Sequence, residues 1–450
     1  MLDIVRKALN SGRVLASWIN LRLSTIASSE RNFIGNRGVR PKIVAGEAPH
    51  LLLFAWSFPP EINGGVYRPV SLAKYAVRAG WRVTVATGPL KGAPSTAGLD
   101  LLNSLPATVG IFRALPAAPT SYKLLPKVDG GFQNIIPIAE AAAAACQHDP
   151  PTAILASGPP FVPFISASFV ATQFRVPIVL EYRDEWSVHT PAFVTAGAFD
   201  KKWERKLLRS ASAVVFVTEA SRNAYLASID GLDASKCLVV PNGWDPEDFV
   251  VEPVSSATGS VDNHGKLVIS FVGSIGWLAK PDAFLARFQE VLVRCPLLRE
   301  RLIVRFTGPK SDEFRGAFTS FQNQFPNSIE LVEGVPKSAA IAEMRRAGAL
   351  LLLLDSFYDT TIPGKLYEYL AAGAPILVFS DTGLAGDLVR RLGAGLVVPT
   401  HDSALLEAAF LRLLQEPRGH WQSPERTAWL ETHSRSALAT RMLKVLSEAR

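Results

Sequence analysis

The stretch "ALLLLLDSFYDTTIPGKLYEYLAAGAPILVFS" (residues 349–380) carries the pattern on which the fold rests. Its two apolar runs, "ALLLLLD" (349–355) and "PILVFS" (375–380), have strand length and flank a segment of helix length. Pro363 and Gly364 open that helix and "AAG" (371–373) closes it, because proline suits a helix start and glycine the residue past its end. Continuous apolar strands joined by a crossover helix belong to a parallel sheet covered on both faces. Lys365 and Glu368 fall one turn apart at the helix start, where the positive helix end and an ammonium would both attract an anion and the carboxylate could accept from a diol, or where the two form a plain i,i+3 salt bridge.

The same alternation runs outward in both directions. In the second half, "KLVISFVG" (266–273), "RLIVRFTG" (301–308), "SIELVEG" (328–334) and "GLVVP" (395–399) join the two strands above. In the first half the strand candidates are "LLLFAW" (51–56), "RVTVAT" (82–87), "GIFRA" (110–114), "AILA" (153–156), "PIVLEY" (177–182), "AVVFVT" (213–218) and "CLVVP" (237–241). Between the halves, "VEPVSSATGSVDNHG" (251–265) lacks periodicity and reads as a linker. The pattern predicts two Rossmann-like, doubly wound α/β domains, at 46–250 and 266–420. Ligands of such sheets bind outside the carboxyl ends of the strands, so the chemistry belongs in the loops there.

A chain of 450 residues with 48% apolar content can bury large cores in two or three domains. Cys146, Cys237 and Cys295 are too widely spaced for a disulfide framework or a Cys-x-x-Cys zinc pattern, which fits a reducing cytoplasm. A net charge of +7 favours an anionic partner: a membrane surface, a phosphorylated substrate or nucleic acid. No basic low-complexity run, zinc-finger spacing or aromatic RNA-binding motif supports the nucleic acid. No run reaches the ~20 apolar residues of a membrane span. In the extension 1–45, Arg6, Asn10, Arg13, Ser17 and Asn20 recur at helical spacing beside Ile4, Leu15, Trp18, Ile19 and Leu23. Such a helix would lie in an anionic membrane interface, or pack on its own protein. Arg13 and Arg22 interrupt the apolar core that a signal peptide needs.

Several strand-end loops carry unusual residues. "SFPPEINGGVYRP" (57–69) brings Gly64-Gly65 to a helix start, where backbone amides can approach a phosphate, with Arg68 in the first turn; a plain tight turn is the alternative. "EYRDEW" (181–186) places Arg183 and Asp184 at a strand's carboxyl edge, with His189 further along, as candidates for ligand contact or as a surface ion pair and a solvated histidine. "VPNGWDPEDF" (240–249) reads as a turn in which Asp245 caps a short helix; Asp245 and Asp248 are poor evidence for a metal. "VISFVGSIGWLAKPDAF" (268–284) offers Gly273, Gly276 and Lys280 as a diphosphate cradle, without the GxGxxG fingerprint; a glycine turn with a solvated lysine is the alternative.

In order and spacing, these loops resemble a GT-B glycosyltransferase of glycosyltransferase family 4, from about Leu51 to Val445. The motifs are "SFPPEINGGVYRPVSLAKYAVRAGWRVTVAT", "ASGPPFVP", "VPIVLEYRDEW", "VGSIGWLAK", "VEGVPKSAAIAEMRRAGALLLL" and "PGKLYEYLAAGAPIL". The resemblance implies two domains facing across a cleft and a final segment, 421–450, that crosses back to the first domain. It implies a retaining sugar transfer from a nucleotide-sugar to a sugar or lipid-linked sugar acceptor, with no cofactor or metal. Glu368 matches the ribose-binding second glutamate of the family's Glu-x7-Glu motif. Lys280 matches the lysine that meets the diphosphate, Lys365 occupies the lysine position of the family's Pro-x-Lys-x-x-Glu-Tyr variant, Gly64-Gly65 match the glycine pair beside the donor phosphates, and Asp184 an acceptor-side position. Arg68, Arg183 and His189 would join Asp184 there, while Gly273, Ser274, Thr361 and Pro363 would complete the donor site. Two positions depart from the pattern. Thr360 stands where the first glutamate belongs, leaving Asp359 or Thr361 to contact the donor sugar, and Ser274 replaces an arginine.

Without a metal, the leaving diphosphate would be met by Lys280, Lys365 and amides near Gly64-Gly65 and Gly273. A bacterial glycosyltransferase building a cell-surface polysaccharide or exopolysaccharide at the cytoplasmic membrane face is the favoured reading. A nucleotide-sugar epimerase of the same fold, or a catalytically weak nucleotide-sugar-binding subunit, are the alternatives.

Overall fold

The structure, a computed structural model, describes residues 47–90, 92–116, 128–191, 193–194, 196–250, 265–276, 278–355 and 359–449. The expected N-terminal extension and residues 251–264 of the expected linker lie outside the described residues.

Each apolar run forms a strand where the pattern places it. The first half contributes β1 (His50–Ala55), β2 (Arg82–Thr87), β3 (Gly110–Arg113), β4 (Ala153–Gly158), β5 (Ile178–Tyr182), β6 (Ala213–Phe216) and β7 (Cys237–Val239). The second half contributes β8 (Leu267–Val272), β9 (Leu302–Thr307), β10 (Ile329–Val332), β11 (Ala349–Leu353), β12 (Ile376–Phe379) and β13 (Gly395–Val398). The strands form two sheets, ordered β3-β2-β1-β4-β5-β6-β7 and β10-β9-β8-β11-β12-β13. Every pairing is parallel. Each order reverses beside its first strand, which creates a ligand crevice at the carboxyl ends of β1/β4 and β8/β11.

Period-two alternation explains why both faces are apolar. Leu51, Leu53 and Ala55 enter one core while Leu52 and Phe54 enter the other. In β11, Leu350 and Leu352 face one side, and Ala349, Leu351 and Leu353 the other.

Five helices bear on the site: α1 (Tyr67–Arg78), α2 (Lys337–Arg346), α3 (Gly364–Ala372), α4 (Pro424–Thr432) and α5 (Arg435–Glu448). Helix α5 packs Leu438, Ala439, Met442, Leu443 and Leu446 into the same core as Leu51, Val70 and Ala73, so the chain's end is built into the first domain. Helix α3 begins after Pro363 and stops at Gly373, whose φ of 79° is left-handed. Its last carbonyls are held from outside. Arg426, 1% exposed, donates to the carbonyls of Tyr369, Leu370 and Ala374, and Arg418 to those of Ala372 and Gly373. Burial pushes the Arg426 pKa down to about 10, and its cation complements the negative helix end. Among the described residues, no helix is long and apolar enough to cross a membrane.

Candidate active site

A cleft of about 350 Å³ opens where the carboxyl edges of the two sheets meet. On the first-domain side it is lined by Gly64, Gly65, Arg68, Glu181, Arg183 and Asp184. On the second-domain side it is lined by Thr361, Pro363, Gly364 and Lys365. Arg435 of α5 closes one edge. Thr218, after β6, donates across the divide to the carbonyl of Thr360 at 2.9 Å.

The two first-domain arginines hold the wall together. Arg68 Nε donates to Glu181 at 2.9 Å and its remaining nitrogens to the carbonyls of Val240 and Pro241. Arg183 donates to the carbonyls of Gly65, Gly158 and Pro159. This contact explains the second glycine: a Cβ on Gly65 would lie 2.7 Å from an Arg183 nitrogen. Both arginines line the cleft on the expected acceptor side and also brace its wall. Glu181 is buried, which alone would raise its pKa. The Arg68 charge and hydrogen bonds, the Ser157 hydroxyl and the Arg183 charge outweigh burial and hold the carboxyl below its usual value.

Asp184 is the exception on this wall. Among the described residues its carboxylate has no hydrogen bond or ion pair. Burial raises its pKa to about 7; Arg183 opposes the shift and Glu185 adds to it. A partnerless carboxyl that titrates near neutrality in a cleft is suited to take a hydrogen bond or proton from an acceptor hydroxyl.

On the opposite wall, Lys365 sits in the first turn of α3 with its ammonium 4.1 Å from the centre of the Phe271 ring. A Cβ on Gly273, whose φ is +143°, would come 3.0 Å from the Lys365 nitrogen, so this glycine leaves room for the side chain. Burial pulls the Lys365 pKa down to about 8 against the opposing pull of Glu368. Among the described residues no carboxylate lies within ion-pair distance of it. Beside it, Thr361 is 5% exposed, lines the cleft, and its hydroxyl has no partner. Of the two substitutes for the missing glutamate, Asp359 instead accepts from Thr382 at 2.7 Å on the exposed side. Thr361 is the one that reaches the cleft.

Three expected site residues lie elsewhere. Lys280 is exposed, pairs with Asp355 at 3.3 Å, and lines a separate pocket with Asp381 and Thr382 instead of the cleft. Ser274 is exposed and outside the cleft lining. His189 is exposed in a left-handed conformation, φ 48°, and faces a different pocket beyond the loop. Glu368 sits at the cleft's margin, where its neighbour is Lys337 at 3.7 Å rather than Lys365. Lys337 also donates to Asp248 and lies 4.3 Å over the Tyr67 ring, which Arg435 covers at 5.8 Å. This junction joins α1, α2, α3 and α5, and sequence reasoning missed Lys337, Tyr67 and Arg435. Glu181 had a visible signal, a carboxylate inside an apolar strand.

Asp245 caps the turn Pro246–Phe249, as expected, while accepting from Lys74 at 2.8 Å and Tyr75 at 2.6 Å. Among the described residues there is no cluster of three or more side chains able to hold a metal ion.

Residues 63–243 match the family described as "Glycosyl transferase 4-like domain". Over that stretch the chain is similar to glycosyl transferase 4-like domains. Its fold is GT-B. Anabaena HepE, crystallised with UDP and glucose, is 15% identical over 89% of this chain and 100% of its own, with a TM-score of 0.62. Sucrose-phosphate synthase from Thermosynechococcus elongatus is 15% identical over 89% and 98%, at 0.63. A glycosyltransferase from Rickettsia africae is 11% identical over 89% and 98%, at 0.65. At these identities the likeness concerns the fold. None of the curated proteins matches the sequence.

Proposed function

We propose that this chain is a glycosyltransferase that moves a sugar from a nucleotide-sugar, with retention, to the hydroxyl of a sugar or lipid-linked sugar in cell-surface polysaccharide synthesis. The observation that carries the reading is one cleft with two chemically distinct walls. The unpaired ammonium of Lys365, the start of α3 and the partnerless hydroxyl of Thr361 face the partnerless carboxyl of Asp184.

The second-domain wall would take the donor. Breaking the bond from anomeric carbon to phosphate leaves a diphosphate that gains negative charge, and a preorganised ammonium and helix end stabilise that charge more in the transition state than in the ground state. Thr361 would hydrogen-bond the donor sugar in place of the absent glutamate, and Glu368 the ribose diol. Asp184 would orient the acceptor hydroxyl. The leaving phosphate oxygen would then accept the acceptor's proton as attack occurs from the same face. This assignment gives the charge compensation to Lys365, so the reaction is proposed to proceed without a metal ion. HepE was crystallised with UDP and glucose, which supports uridine nucleotide-sugars as first donors to try. Residues 1–45, with Trp18 and their arginines, are proposed to attach the enzyme to the inner face of the cytoplasmic membrane.

The test is incubation with a panel of labelled nucleotide-sugars, with and without chelator. Release of nucleoside diphosphate, with the sugar's anomeric configuration kept and chelator without effect, is expected. An epimerised nucleotide-sugar would transfer the chain to the isomerase reading.

A further inference from the structure

A second pocket lies on the far side of the loop that carries Asp184. Its lining includes Ser187, His189, Lys201, Arg205 and Ser228, with no carboxylate among the lining residues. Its volume is about 300 Å³. Lys201 and Arg205 come from the helix Ala198–Ser210, and the way that helix distributes its charge is informative. Both of its carboxylates point inward and are fully buried. Asp200 accepts from the Gly197 amide and the Trp186 indole, and Glu204 accepts from the Tyr225 hydroxyl. Its basic residues Lys201, Lys202, Arg205, Lys206 and Arg209 all face outward. Positions 201, 205 and 209 are four apart and share one stripe of the helix.

A solvated helix face usually interleaves acids with bases, since opposite charges at this spacing attract and like charges repel. Here no acid of the helix remains outside to neutralise the stripe. Among the described residues, no ion pair is formed by Lys201, Lys202, Arg205 or Arg209. At the pocket the stripe meets the His189 imidazole and the Ser228 hydroxyl, both able to donate, and Ser187, whose hydroxyl bonds the buried Glu204. An arginine fork, a lysine point charge, an imidazole N–H and a serine hydroxyl around one concavity form a donor set for a tetrahedral, multiply charged oxyanion.

We infer that the pocket of His189, Lys201 and Arg205 binds a phosphate group, carried either by a soluble phosphate or by the headgroup of an anionic lipid. The site is separate from the cleft, and the inference does not depend on how the cleft is used.

The test compares two double variants of the full chain, each removing two exposed positive charges from the same helix face. Lys201→Ala/Arg205→Ala removes the pocket's cations; Lys202→Ala/Arg209→Ala removes two outside the pocket lining. Binding is measured by calorimetry with inorganic phosphate, and by co-sedimentation with phosphatidylcholine vesicles with and without phosphatidylglycerol. Melting curves should show all three proteins equally folded, because the altered side chains are exposed. The expected result is a loss of about tenfold or more in the first variant, with the second within about twofold of wild type. Binding of phosphate by the wild type assigns a soluble ligand, and binding only to phosphatidylglycerol vesicles assigns a lipid headgroup. Equal losses in both variants, losses in neither, or no binding of either probe by the wild type overturn the inference.

Discussion

Asp184→Asn separates a catalytic carboxyl from a structural one by stability as much as by rate. In the folded protein the Asp184 pKa is raised from 3.8 to about 7, chiefly by burial. Because the folded value lies above the unfolded one, the native state keeps a proton from roughly pH 4 to pH 7 that the unfolded chain has lost. Stability therefore falls as pH rises through that window, and the full cost is present above pH 7. A shift of about three units corresponds to an upper bound of ~4 kcal/mol. Asparagine keeps the shape without the charge, so it should relieve on the order of 2–4 kcal/mol at pH 8 and nearly nothing at pH 4. At ~2–4 °C per kcal/mol for a domain of this size, the melting temperature should rise by about 5 °C or more at pH 8. The same substitution should lower sugar transfer by about 10- to 100-fold, the loss of a charged hydrogen bond that orients the acceptor hydroxyl, with nucleotide affinity nearly unchanged. The two assays are thermal melting across pH and transfer at saturating donor. A variant that melts below wild type at pH 8, or that still transfers at the wild-type rate, would falsify the reasoning.

Three other perturbations probe the donor wall. Diphosphate affinity, measured by calorimetry, should fall by up to about tenfold per unit above pH 8 as Lys365 loses its proton; Lys365→Met should bind weakly and show no such step. Glu368→Ala should weaken nucleotide binding by about 10- to 100-fold while Lys337→Met, which removes its partly exposed neighbour, leaves affinity within about threefold; comparable losses in both would make the pair a domain staple rather than a ribose contact. Arg426→Met should lower stability by about 3 kcal/mol or more, since it uncaps several buried carbonyls at the end of α3; an unchanged denaturation midpoint would show that α3 does not depend on this clamp.

All the strands were legible because each is a short apolar run between turn residues, and burial on both sheet faces demands that composition. The start and stop of α3 were legible for the same local reason, through Pro363, Gly364 and Gly373. Lys365, Asp184 and Thr361 could be placed at the cleft because strand-end loops of this fold converge there. What misled was the direction of side chains on exposed loops. Lys280 and His189 lie in the right loops but turn outward, and no local pattern encodes that choice. Arg68 and Arg183 were correctly located, yet their work as braces depends on carbonyls brought close only by the fold, up to 173 residues away in the chain. The Lys337 junction was invisible for the same reason, since it unites residues from four helices.

The most direct test of the account is a crystal structure with a bound nucleoside diphosphate. The account places the diphosphate in the cleft between the domains, within hydrogen-bonding distance of the Lys365 ammonium and the first amides of α3. Thr361 should face the site of the sugar and Asp184 should stand free on the opposite wall. A diphosphate found instead in the pocket of Lys280, Asp355 and Asp381, with Lys365 unengaged, would contradict it.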